Sequence, residues 1–343
     1  MKKKKVQEVS YVKYLFGFTL VLFIFVGTWV WKFYQTSVSS QSNILLVSSL
    51  INPPDKIFFQ GITGTHSLRT FRSLHLDELN SSGNQIPSFF LGRYQSWSQD
   101  ELAKADFVFL EQVHKAGAIP YISWEPWSGS RLATPSSQIA YRLANIVRGD
   151  FDSYIHTYAS DLKKFGYPVL LRFAHEMNGD WYPWGIDVNS NTSKDFVDAW
   201  RHVHDIFISE GAINVLWLWA PNEPFGGKNG TNSAKYSTFY PGDSYVDWVG
   251  FSAYNWGEAR EFNVNRSFST MVSKAYDLLV PFRKPIMLAE SNSSITGVDK
   301  ADWIKNMKAD LKKFPLIRGA IWYESDDGSF SIEKELFLVP FVP

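Results

Sequence analysis

Apolar residues gather in short runs from about residue 55 onward: Ile57 to Ile62, Ile86 to Leu91, Ala118 to Trp124, Pro168 to Phe173, Ile213 to Trp219, Asp247 to Ala253, Pro285 to Ala289 and Ile317 to Trp322. The runs are too short for helices and show no strict alternation, as expected of strands buried on both faces. Between them lie segments with helical spacing. Phe151 to Phe165 and Phe196 to Glu210 carry apolar positions three and four apart, and Gly166 and Gly211 stand where helix C-caps would fall. Eight such strand and helix repeats predict a single (β/α)8 TIM barrel over residues 55–343. A doubly wound open sheet is the rival, but no Gly-x-Gly-x-x-Gly fingerprint follows any of the runs.

The N-terminus has a different pattern. Lys2 to Lys5 and Lys13 precede an uncharged, apolar run from Tyr14 to Trp31, which is 18 residues and close to the length that spans a bilayer. Basic residues ahead of the run would hold its start in the cytoplasm, with Trp29, Trp31 and Tyr34 near the far interface. Residues 1–35 are therefore expected to form a cytoplasmic basic tip and a transmembrane helix, with the barrel membrane-anchored and extracytoplasmic. A cleaved secretory signal is the alternative. Residues 36–54, rich in Ser and Asn and closed by Pro53-Pro54, read as a linker.

Composition narrows the possible partners. Lys plus Arg and Asp plus Glu are equal at 34 each, so nothing favours nucleic acid or another polyanion, and a neutral partner is expected. With no cysteine, thiolate metal sites and cysteine nucleophiles are excluded. The 14 Trp exceed what packing alone usually needs, and sugar rings present C–H faces that stack on such side chains.

In a barrel of this kind the chemistry sits where strands end. Glu176 follows the fourth run in Arg172-Phe173-Ala174-His175-Glu176-Met177-Asn178-Gly179, and Glu290 follows the seventh in Leu288-Ala289-Glu290-Ser291-Asn292. Two carboxyl groups about 5 to 5.5 Å apart, one protonated and one ionised, are what a retaining glycosidase needs. Glu176 is expected to be the acid/base and Glu290 the nucleophile. Glu223, in Asn222-Glu223-Pro224 after the fifth run, is a rival acid read as a rim or substrate contact. Trp124, Trp127, Trp181, Trp184, Trp256 and Trp322 recur near strand ends and predict an aromatic cleft, Trp181 and Trp322 being nearest the cleavage point. Arg172 suits either the site or a buried ion pair, and Glu125 either a hydroxyl contact or a loop cap.

Other chemistries fit poorly. His175-Glu176 begins like a zinc-protease helix, but Gly179 stands where the second His would be, and His202 and His204 are too close in sequence to share a helix face. Asp326-Asp327-Gly328 lacks the rest of a calcium loop. No metal or other cofactor is expected.

His175-Glu176-Met177-Asn178-Gly179 followed by Asp180-Trp181-Tyr182-Pro183-Trp184-Gly185 resembles the acid/base signature of glycoside hydrolase family 26. That family holds mostly endo-β-1,4-mannanases, with some β-1,3-1,4-glucanases and β-1,3-xylanases. The resemblance implies double displacement with retention, Glu176 as acid/base and Glu290 as nucleophile. It also implies that His175 and Tyr254 orient the nucleophile, and it places Asn178 in the site. Trp181-Tyr182-Pro183-Trp184 is nearer the glucanase-like branch than the Trp-Phe-x-Trp of many mannanases, so mannan and mixed-linkage glucan both stay open as the partner polysaccharide. A monomer is expected. The alternative to an enzyme is a barrel that only binds polysaccharide, or a membrane-tethered assembly protein.

Overall fold

The computed structural model describes residues 41–55, 57–76, 78, 88–97, 104–130, 133–224, 235–259 and 265–337. Eight parallel strands close into a barrel in sequence order: β1 (Phe59–Thr63), β2 (Phe89–Ser96), β3 (Ile119–Glu125), β4 (Val169–Phe173), β5 (Val215–Trp219), β6 (Trp248–Asn255), β7 (Ile286–Ser293) and β8 (Ile317–Tyr323). Each overlaps one of the eight apolar runs. The runs that fall furthest short of their strands are those of β2, which continues to Ser96, and β7, which continues to Ser293. Both extensions are polar segments at the functional end, where burial no longer requires apolar side chains.

The strands are apolar throughout because one face fills the barrel and the other meets the helices. In β4, Val-Leu-Leu-Arg-Phe, and β5, Val-Leu-Trp-Leu-Trp, every residue is buried. The helices Asp152–Phe165 and Ser193–Glu210 match their expected spans and end at Gly166 and Gly211, whose φ values of 71° and 77° suit glycine. Thr192 and Asp195 form a reciprocal capping box that starts Ser193–Glu210, and Thr192→Ala would cost about 1 kcal/mol. That helix buries Phe196, Ala199, Trp200, Val203, Ile206 and Phe207, all on one face. Between β5 and β6 the described connection consists of two short 3₁₀ turns, Tyr236–Phe239 and Asp243–Tyr245, in place of a helix.

Residues 41–51 are helical, where sequence suggested a linker through residue 54. The apolar stretch Ile44 to Val47 belongs to this helix, and the chain divides into compact units at Leu46/Val47. Within the larger unit Leu50 is fully buried, and its carbonyl accepts from Trp248 Nε1 at 2.8 Å. Trp248 is the first residue of β6, so the chain enters at the end of the barrel where strands begin. The Tyr14 to Trp31 run lies outside the described residues. Among the described residues no helix is long and apolar enough to cross a membrane.

Candidate active site

A cleft of about 1570 Å³ opens over the C-terminal ends of the strands, lined by Glu125, Glu176, Glu223 and Glu290 with Tyr94, Trp127, Trp181, Tyr182, Tyr254, Trp256 and Tyr323. It exceeds the roughly 300–1,000 Å³ of small-molecule sites.

The turn after β4 aims Glu176 into this cleft. Ala174 and Glu176 both take the left-handed conformation, with φ of 41° and 53°, which non-glycine residues adopt at a cost of about 1–3 kcal/mol. Neighbouring strands hold the turn in place: Ala174 N donates to Trp124 O at 3.1 Å and Glu176 N to Ala220 O at 2.9 Å. Gly179 is required because the Trp181 ring lies over it, and a Cβ there would come within 2.4 Å of that ring. Trp181 Nε1 in turn donates to Glu176 Oε2 at 2.7 Å.

Glu290 is aimed in another way. The pairing of β7 with β6 shifts register between Phe251 and Ser252, and its pairing with β8 shifts between Leu288 and Ser291. Such irregularities redirect a side chain at a strand end. Glu290 accepts hydrogen bonds from Arg172 on Oε2 and Tyr254 on Oε1, with the Tyr94 phenol buried beside it. Arg172, fully buried on β4, reaches Ser252 as well and lies 3.7 Å from Glu176 Oε1. One guanidinium thus stands between the two carboxyl groups.

Burial, followed by the nearby charge of Glu290, raises the Glu176 carboxyl above its usual range against the opposing pull of Arg172. Burial first and Glu290 second raise the Tyr94 and Tyr254 phenols, keeping both as donors. Burial, then Arg172, lowers His175, so its ring is neutral. His175 shares a 3.1 Å hydrogen bond with Tyr182 OH through Nε2, and among the described residues its bonds do not reach Glu290. The orienting contacts on Glu290 come from Tyr254 and Arg172.

Several aromatic expectations need correction. Trp124, Trp184 and Trp322 are fully buried and do not line the cleft. Trp124 stacks on Tyr158 at 4.6 Å in the layer between barrel and helices. Trp184 supports the site from below: it stacks on Tyr182 at 4.2 Å and donates from Nε1 to His175 O at 2.7 Å. Tyr323, beside Trp322, faces the cleft instead. Trp127, Trp181 and Trp256 do line it. Asn178 is buried and structural, exchanging hydrogen bonds of 2.8 and 2.9 Å with the Asn222 backbone and so clamping the β4 and β5 loops together.

Glu223 sits on the cleft wall in a two-point ion pair with Arg266, at 2.6 and 2.7 Å. Burial raises this carboxyl and Arg266 opposes the shift. Sequence gave no signal for Arg266, which lies in an irregular segment before Phe268–Leu279, or for Tyr94, which lies past the apolar part of β2. His202 and His204 diverge as expected, one bonding Asp152 at 2.7 Å and the other packing on Trp217 and Tyr245. Among the described residues no cluster of His, Asp or Glu is placed to hold a metal.

A closed parallel barrel with two carboxyl groups flanking a buried arginine in an aromatic cleft is the framework of a carbohydrate-active barrel. The family model Glycosyl hydrolase family 26 matches residues 134–339, and the chain belongs to that family. It is 35% identical over 222 residues to Endoglucanase H of Acetivibrio thermocellus, a match covering 64% of this chain and only 23% of that relative. It is 25% identical over 311 residues to a mannan endo-1,4-beta-mannosidase of Bacillus subtilis strain 168, covering 84% of this chain and 80% of the relative. The solved structure of a Bacillus subtilis mannanase shares the fold, with a TM-score of 0.54, 21% identity and coverage of 85% and 87% of the two chains.

Proposed function

We propose that this protein is a retaining endo-β-glycanase acting on β-1,4-mannan or mixed-linkage β-glucan. The observation that carries the reading is the sharing of Arg172 between Glu176 and Glu290 at the cleft floor. Glu176, its proton held by burial and by the charge of Glu290, is suited to protonate the leaving oxygen. Glu290, held by Arg172 and Tyr254, attacks the anomeric carbon and forms the glycosyl-enzyme. Glu176, now a carboxylate, takes a proton from water as that water releases the sugar with net retention. Trp181 steadies Glu176 through its indole N–H, and Trp127, Trp256 and Tyr323 offer faces to the sugar rings.

Family membership supports glycoside hydrolysis, and the named relatives support a glucan and a mannan respectively: identity is higher to the endoglucanase, while coverage is fuller to the mannosidase. The basic, then apolar N-terminal sequence supports an extracytoplasmic barrel held at a membrane. The test is reducing-end release from glucomannan, galactomannan, barley β-glucan and β-1,3-xylan, with Glu290→Ala as control and product anomers followed by NMR. Release from a mannan or mixed-linkage glucan with retained configuration, absent in the control, is the expected result. Release unaffected by Glu290→Ala, or inversion, would overturn the mechanism.

A further inference from the structure

Among the carboxyl groups of the cleft that the mechanism leaves unused, Glu223 is tied to Arg266, whereas Glu125 is bonded to no cation. Glu125, the last residue of β3, is 5% exposed and still lines the cleft. Its Oε2 accepts from Trp127 Nε1 at 3.0 Å. Its Oε1 lies 3.7 Å from His175 Nε2, beyond hydrogen-bond reach, and has no hydrogen-bond partner among the described residues. Its backbone carbonyl already accepts from Trp97 N and Trp127 N, both at 2.8 to 2.9 Å, so the loop is capped without the side chain.

A buried carboxyl group with no cation bonded to it is expensive, and a loop support would be served better by an amide. On the basis of the proposed function, we propose that Glu125 is a substrate-binding residue whose Oε1 hydrogen-bonds a ring hydroxyl of a neutral β-linked hexose in the cleft. Trp127 fixes the geometry. Because its N–H points at Oε2, that atom is the carbonyl oxygen of the acid form and Oε1 carries the proton, leaving Oε1–H to donate to the sugar. Burial, together with the charges of Glu290 and Glu176, pushes this carboxyl up to about 8, against Trp127 and Arg172. Its titratable and charged surroundings are His175, neutral, and Tyr182, Glu176 and Arg172 from the β4 side, with Glu290 from β7. Glu125 is therefore a donor at neutral pH and becomes an acceptor only above about pH 8.

The experiment compares Glu125→Ala and Glu125→Gln in kcat, KM and calorimetric binding. Binding is measured in the Glu290→Ala background with β-1,4-mannohexaose and a mixed-linkage glucohexaose as probes. Glu125→Ala is expected to raise KM and weaken oligosaccharide binding by about tenfold with kcat little changed, the signature of a contact made equally before and during reaction. Glu125→Gln, which keeps a donor, should bind normally at pH 6, and its KM should stay flat between pH 7 and 9 while that of the parent rises. Unchanged binding in Glu125→Ala, or a loss in kcat alone, would overturn the assignment. If the Glu290→Ala parent binds neither probe, the glycanase reading itself fails, an outcome separate from the first.

Discussion

Two walls of the cleft carry carboxyl groups that sequence treated as rivals, and the structure gives them different surroundings. On the β4–β7 side Glu176 has no cation of its own: Arg172 stands 3.7 Å away and is committed to Glu290 and Ser252. On the β5–β6 side Glu223 takes two hydrogen bonds from Arg266, which bonds no second carboxylate among the described residues and otherwise donates to the Tyr254 carbonyl. Both acids follow a strand, both are buried, and burial raises both. The difference lies in the partner. A dedicated bidentate arginine fixes a carboxylate as a structural ion pair, whereas a shared arginine beside a second carboxylate leaves one proton to be exchanged.

This contrast is broken most severely at Glu290. Under the proposed mechanism Glu290→Ala should eliminate turnover of every substrate, because it removes the nucleophile, and should free Arg172 to pair with Glu176. Initial rates on polymer and on aryl glycosides would check it. Glu176→Ala should cost about 10²- to 10⁴-fold on polymer but spare formation of the intermediate from aryl glycosides with good leaving groups, which need no protonation. A burst of released phenol is the readout, and equal small effects at both positions would sink the pairing.

The pH profile sharpens the comparison. Since the Glu176 carboxyl is raised, it stays protonated to higher pH, and kcat/KM should fall as pH climbs through that raised value. The same sign holds for stability. The folded chain keeps this proton when the unfolded chain, near its ordinary value of about 4.3, has lost it. Its favourable contribution is therefore complete below that value and is lost as pH rises through the folded one. Denaturant unfolding from pH 4 to 8, with Glu176→Gln as comparison, measures it. The smallest effect on rate is expected at Glu223→Ala, whose cost should appear in stability instead. Stranding Arg266, only 18% exposed, should cost about 2–4 kcal/mol, less whatever solvent relieves. If turnover falls further than for Glu176→Ala, the acid has been misassigned.

Strand order and the position of Glu176 and Glu290 at strand ends were legible because each rests on local pattern: an apolar run long enough for a strand, then polar residues where it ends. Side-chain direction was not legible in the same way. Trp124 and Trp322 stand at strand ends as expected, but successive residues of a strand face opposite sides. Ser123 and Tyr323 point to the barrel interior and cleft, so their neighbours must point to the helices. Knowing that Arg172 faces inward would have fixed the parity of β3, since its guanidinium touches Ser123. Tyr94 and Arg266 escaped for another reason, as neither lies in an apolar run and only the closed ring brings them to the cleft.

The helical stretch at residues 41–51 adds a consequence of position. Its end is pinned by Leu50 to the first residue of β6, at the opposite mouth of the barrel from the catalytic groove. Residues 47–51 are therefore fastened to the barrel at the end where its strands begin. Within the larger unit, a change at Leu50 would load the start of β6, a full strand length away from the carboxyl groups of the groove.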